Sequence, residues 1–368
     1  MIVVLRHDAG SQVRCETGQG RIVIRAEWTE VAPSGKFCNQ TFFQSEGYAR
    51  LLALDNRRPL WLAALDSSGR VVARWLLFET PSDYLHPPRG VVGRLLDVHL
   101  AANHSPSLAE NAEPTQSDAI RNALLAKVAR RVARARPVSA TLRLDPRIDV
   151  AELAAWRAVA ARHGFETAPS WSYLSELPPT VEAMFTRIKS DRRTKVRKGE
   201  SDGITFEVGR DVAAFEEYYA VRCDNARRNG VGIVPWGHFK AACDALGTDG
   251  ANRVFLARMA GRVAAGQLAL IDRGFVTLNG VSVASWAFES KIPANDVLQW
   301  RVIAWAIENG MRWIDYVGAD PTTTDPKIKA IDHFKSRWGT TLCESMVLHC
   351  AGSRLRRVGS RVARRGGL

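Results

Sequence analysis

No run of 18 apolar residues occurs anywhere in the 368-residue chain, so no membrane-spanning helix is expected. The N-terminal MIVVLRHDAG lacks the long apolar core and small-residue cleavage site of a secretory signal. The six cysteines, at 15, 38, 223, 243, 343 and 350, never pair as C-x-x-C. That excludes a disulfide framework or a zinc ribbon and fits a reducing cytosol. The eight histidines show no ligand spacing. No G-x-S-x-G elbow, H-E-x-x-H pair or G-x-x-x-x-G-K phosphate loop is present, which speaks against serine-hydrolase, zinc-peptidase and P-loop chemistry. Gly261 and Gly266 lie in a hairpin and read as turn residues, not as a phosphate cradle.

Basic residues are abundant. Lys and Arg number 51 against 38 Asp and Glu, a net charge of +13. Such a field attracts polyanions: RNA, phosphorylated metabolites or an anionic membrane face. Arg-rich composition over a solvated surface is the bland alternative, and the clustering of the charge favours the functional one. With 46% hydrophobic and 24% charged residues the chain reads as an ordinary globular protein of about two domains.

Periodicity and turn signals predict a strand near 22–26 and a helix near 45–54. A central hairpin, WLAALDSSGRVVARWLLFE, turns at Ser67-Ser68-Gly69. A polar loop over 101–116, a helix over 118–135, a strand over 139–144 and a helix over 150–163 follow, the last stopped by Gly164. The second half repeats this grammar. A helix over 180–199, a strand over 204–208, and helices over 213–229 and 236–246 lead to a hairpin turning at Ala260-Gly261. A strand over 275–285, the helix DVLQWRVIAWAIENG and the strand RWIDYVGAD complete it. The β-β-α-β-α order means an α/β fold with mixed sheets and helices packed on them. The expected division is residues 1–172, 173–352 and a basic tail, 353–368, in which six arginines stand. That tail can bind RNA or acidic lipid, or simply solubilise.

Four constellations carry chemistry. In FTRIKSDRRTKVRKGE, Arg187, Lys189, Arg192, Arg193, Lys195, Arg197 and Lys198 fall in 12 positions opposed only by Asp191. On one continuous helix Lys189, Arg193 and Arg197 would share a face and repel, which an arriving phosphate would offset. In the helix DVLQWRVIAWAIENG, Leu298, Val302, Trp305 and Ala306 form the buried stripe, with Gln299 and Trp300 to one side. In the next strand Asp315 falls on an apolar face, where a carboxylate must find donors or line a cleft. Ile314 and Tyr316 point the other way, and Gly318 permits a sharp turn where α/β sheets often hold ligands. Beyond a Gly/Pro/Thr loop, Phe334-Lys335 presents a point charge able to meet an oxyanion. Taken alone, Asp315 is as well read as a bonded structural acid, and Lys335 is better read as a surface lysine.

In this order, Leu298-Gln299-Trp300, Asp315 with Gly318, Phe334-Lys335 and Gly339 resemble the C-terminal half of the FemABX-like aminoacyltransferases of the GNAT superfamily. SDRRTKVRKGE before ITFEV is similar to the family's basic helix, and NARRNG to the segment with a substrate-binding arginine, which would be Arg228. FFQSEGYARLL and LRLDPRID are similar to motifs of the N-terminal half. The resemblance covers nearly the whole chain. It implies two tandem GNAT-like domains, each a mixed, mostly antiparallel sheet flanked by helices, with a cleft between them. It implies attack of an amine on an activated acyl group, usually an aminoacyl ester on tRNA, with no cofactor and no metal. Lys335 would then stabilise the tetrahedral oxyanion, with Phe334 and Asp315 beside it, and Tyr316, Gly318, Gln299, Trp300 and Arg228 would bind substrate. Lys189, Arg192, Arg193, Lys195, Arg197 and Lys198 would meet RNA phosphates. The protein would be cytoplasmic, and its tail could meet the inner membrane face.

Three departures narrow this. Leu52 stands where members acting on the nucleotide-linked cell-wall pentapeptide carry a lysine. The helical hairpin arm of some members is absent. The acetyl-CoA loop of ordinary GNAT enzymes is replaced by KIPANDVLQW. An acyl-CoA-dependent N-acyltransferase and a non-catalytic binder of RNA or membrane surface are the alternatives.

Overall fold

A computed structural model describes residues 5–7, 12–17, 20–38, 40–81, 98–134, 139–247 and 250–352. The basic tail and Ala135 therefore lie outside the described residues. The chain divides into two compact units, Met1–Ser170 with Ser345–Leu368, and Trp171–Glu344.

In the first unit, β1 (Leu5–His7), β2 (Gln12–Thr17), β3 (Gly20–Thr29), β5 (Arg58–Leu65), β6 (Val71–Pro81) and β7 (Val98–Ala102) pair antiparallel in that order. β7 runs parallel to β9 (Ser139–Arg143), and β9 antiparallel to the end of β17 (Thr341–Ala351). The short β4 (Phe37–Cys38) and β8 (Ser107–Ala109) branch from β6. The expected polar loop over 101–116 thus holds a strand end and β8. Its seryl and asparaginyl composition hides the alternation of buried Ser107 and Ala109. Helices α2 (Ser117–Arg134) and α3 (Val150–Arg162) pack Leu124, Val128, Trp156 and Val159 on this sheet. Helix α1 (Glu46–Leu54) starts on Ser45, whose side chain accepts the Tyr48 N–H, and buries Leu52.

The second unit has the same strand plan. Antiparallel β11 (Thr205–Gly209), β12 (Asn252–Met259), β13 (Arg262–Asp272) and β14 (Phe275–Leu278) precede a parallel pair, β14 with β16 (Trp313–Asp315). β16 then pairs antiparallel with β10 (Glu166–Glu176) through Leu174↔Asp315. The β12–β13 hairpin turns at Ala260 (φ 49) and Gly261 (φ 76), a left-handed pair matched to strand twist. Two expected elements are broken. The strand over 275–285 ends at Leu278, resumes as β15 (Ser282–Val283), and gives way to helix α8 (Ser285–Glu289). The helix over 180–199 is two helices, α4 (Val181–Arg187) and α5 (Ser190–Ser201), because Ile188 and Lys189 are extended (ψ 140 and 144). Helices α6 (Val212–Asn229) and α7 (Trp236–Gly247) complete one face. Helix α9 (Ala294–Glu308) is buried nearly all round, Gln299 and Trp300 included. After β16 and a loop comes α10 (Pro326–Lys335), capped by Asp325.

Candidate active site

The break between α4 and α5 rearranges the basic cluster. Lys189 is the cap residue, so it cannot share a helical face with Arg193 and Arg197. Arg193 instead donates from Nη1 to the carbonyls of Thr186 (3.1 Å) and Ile188 (2.6 Å), closing the open end of α4. Arg197 lies over the Phe185 ring at 5.3 Å, and Phe185 meets Trp300 at 4.7 Å between centroids. Arg192 pairs with Asp296 at 2.7 Å on α9, and its guanidinium also covers the Phe334 ring at 5.1 Å. The continuous basic face is therefore broken, with Arg192 and Arg193 engaged inside the protein and Arg197 exposed above its ring. Lys189, Lys195 and Lys198 remain exposed, Lys198 beside Asp202 at 2.8 Å.

At the end of β16 several predicted residues converge. Asp315 is buried, 3% exposed. Its Oδ1 accepts the Ser172 hydroxyl and, at 2.8 Å, the Val317 N–H. The donors demanded by an acid on an apolar face are thus supplied by β10 and the next turn. Tyr316 is buried too, within 3.5 Å of Gln299 Nε2, and burial pushes its phenol well above the usual range. The chain then turns through two left-handed residues, Val317 (φ 50) and Gly318 (φ 68). Glycine suits that region, but a β-branched valine there is strained, a condition found mostly at functional sites.

Lys335, the last residue of α10, reaches back to this turn. Its Nζ donates to the carbonyls of Val317 (2.7 Å) and Gly318 (2.6 Å). No carboxylate lies within 4 Å of it among the described residues. An ammonium has three donors, so one N–H is left for a further acceptor. Burial lowers the Lys335 pKa below the ordinary 10.5, while Asp332 and Asp315 act to keep the proton on. Phe334 packs against Trp338 at 5.7 Å. Gly339 adopts a left-handed backbone (φ 67), which favours glycine.

Asp315, Tyr316, Gln299, Gly318, Phe334 and Lys335 thus form one connected set, while Trp300 packs against Phe185. Arg228 is held elsewhere. It donates to the Val283 carbonyl (3.0 Å), Ser285 Oγ (3.2 Å) and Asn225 Oδ1 (2.7 Å), and stacks on exposed Phe288 at 4.5 Å. Sequence reasoning passed over Asp332, Ser172 and Tyr173. Asp332 carried one usable signal, its place three residues before Lys335 on the same helical face.

Residues 186–336, most of the second unit, match the family model described as an acetyltransferase (GNAT) domain. Among solved structures, FemX is 14% identical, with 88% of this chain and 96% of that chain covered and a TM-score of 0.70. The C-terminal domain of a putative lysylphosphatidylglycerol synthetase from Agrobacterium fabrum is 14% identical, with 88% and 94% covered and a TM-score of 0.52. The L-PGS of Bacillus licheniformis is 12% identical, with 91% and 99% covered, also at 0.52. No curated protein sequence matches the chain. At these identities the likeness is one of fold. The chain is a mixed α/β protein of two units with a fold like that of FemX, as the FemABX-like resemblance implied, and its second unit matches a GNAT domain.

Proposed function

We propose that this protein is an acyltransferase that forms an amide by direct attack of an acceptor amine on an activated acyl donor. The donor is an aminoacyl-tRNA, and the acceptor a cell-envelope precursor or a peptide-like metabolite. The observation that carries the reading is the Lys335 ammonium. It is fixed by two carbonyls, has no carboxylate partner among the described residues, and keeps one N–H to give. A fixed positive donor in a half-dry site suits the oxyanion of a tetrahedral acyl intermediate. Asp315 supports the turn that holds it, Gly318 forms part of that turn, and Tyr316 and Gln299 are buried against each other. The FemX-like fold favours an aminoacyl donor, and the exposed lysines of the basic helix suit tRNA phosphates.

Replacing Lys335 with Ala or Met should cut amide formation from charged tRNA by roughly 10²–10³-fold, the usual worth of one oxyanion donor. Product formation should also be abolished by RNase. Unchanged turnover in both variants would remove Lys335 from the chemistry. The description of the matching domain as an acetyltransferase favours a second reading, an acyl-CoA donor. Under it, product forms from acyl-CoA and is indifferent to RNase.

A further inference from the structure

Asp332 is a buried carboxylate, 9% exposed. Among the described residues it has no ion-pair partner. Its one hydrogen bond there is from the Asp320 backbone N–H, 3.0 Å from Oδ2. Asp332 stands one turn before Lys335 on α10, so the two side chains share a face. The residue it grips, Asp320, lies two positions past Gly318, whose carbonyl holds Lys335. Asp332 thus ties the loop over 318–325 to the helix that carries the lysine.

We propose that Asp332 is a positioning residue for the acyl-transfer centre, fixing the turn that orients Lys335 and supplying the negative charge beside its ammonium. This deepens, and rests on, the reading of Lys335 as the oxyanion donor. The charged and titratable groups around Lys335 are few. Asp332 comes from its own helix and Asp315 from β16, both opposing the effect of burial on the lysine. Tyr173 on β10 feels Asp332, and Cys343 on β17 feels Asp315. Of the two carboxylates, Asp315 is occupied by Ser172 and the Val317 N–H. Asp332 has the more spare acceptor capacity.

The test uses the full chain and two variants. In D332N the side-chain carbonyl can still accept the Asp320 N–H, but the charge is gone. In D332A both are lost. Amine-reactive labelling of Lys335, followed by mass spectrometry across pH, reads its protonation without any substrate. In D332N the labelling midpoint should move to lower pH, with several-fold faster labelling at a fixed pH below the wild-type midpoint. In D332A the loop over 318–325 should also become more open to hydrogen exchange, and D332E should restore part of both. Coincident labelling curves for D332N and wild type would overturn the proposal, whether or not D332A folds. The alkaline limb of kcat should shift with the labelling curve. A labelling shift with no transfer by the wild type from charged tRNA or acyl-CoA would leave Asp332 in place and sink the acyl-transfer reading instead.

Discussion

The Lys335 ammonium is held in a half-buried place that works against its charge, with two carbonyls and two nearby carboxylates compensating. Its pKa in the folded protein is lowered from 10.5, chiefly by burial. In its proposed role as oxyanion donor, Lys335 works only while protonated. The transfer rate should therefore fall as pH rises through the lowered value, earlier than an exposed lysine would allow. A kcat profile carried into the alkaline range checks this, and K335R, which does not titrate there, should lose that limb even at reduced rate. The linkage to stability has the opposite sense. Between the lowered folded value and 10.5 the unfolded chain binds more protons than the folded one, so this group's contribution to stability rises with pH across that window. A parallel fall of rate and stability across that window would mean that unfolding, not Lys335, sets the limb.

At the scale of elements, Arg192 joins three helices: it lies on α5, pairs with Asp296 of α9 and covers Phe334 of α10. Both partners of the ion pair are largely buried, with side chains 12% and 9% exposed. Removing one partner strands the other charge, at about 3 kcal/mol or more. R192M should therefore lower stability by that order in denaturant melts, and R192M/D296N should recover much of it. R192M should also slow transfer, because Phe334 loses its cover. Equal melts for R192M and wild type would show the pair to be idle. This arrangement was only half legible in the sequence. The central hairpin declared itself through Ser67-Ser68-Gly69, and the αL stop at Gly164 through its glycine. The break at Ile188-Lys189 carries no proline or glycine. It is imposed by tertiary contacts: Ile188 is 1% exposed, the Lys189 N–H bonds the Arg337 carbonyl, and Arg193 closes the end of α4. Seven basic residues in one run look alike in sequence, and only the packed partners separate Arg192 and Arg193 from the exposed members of the run. Phe334-Lys335 was recognisable as a motif. What holds Lys335 was not, because a valine gives no sign that it will adopt positive φ.

For the molecule as a whole, that separation decides how the net charge of +13 can act on an RNA. Guanidinium groups committed to Asp296 and to the end of α4 are poor counterions for phosphate, since recruiting them would undo internal contacts. The exposed Lys189, Lys195 and Lys198 have little to lose; the Lys198–Asp202 pair is an exposed i,i+4 pair, of the kind that contributes only about 0.3–0.5 kcal/mol. Phosphate contacts release counterions, and each one lost lowers the salt slope of binding by roughly 0.7–0.9. Replacing the three lysines together with Ala should therefore reduce the slope of log affinity for tRNA against log salt by about 2–3 if each meets a phosphate. The melting temperature should stay within a degree or two, in contrast to R192M. Titrations of tRNA between low and physiological salt, with the melts run alongside, read both. An unchanged slope would move the RNA contact off this helix, and a large loss of stability would mean that the lysines, like the arginines, serve the fold.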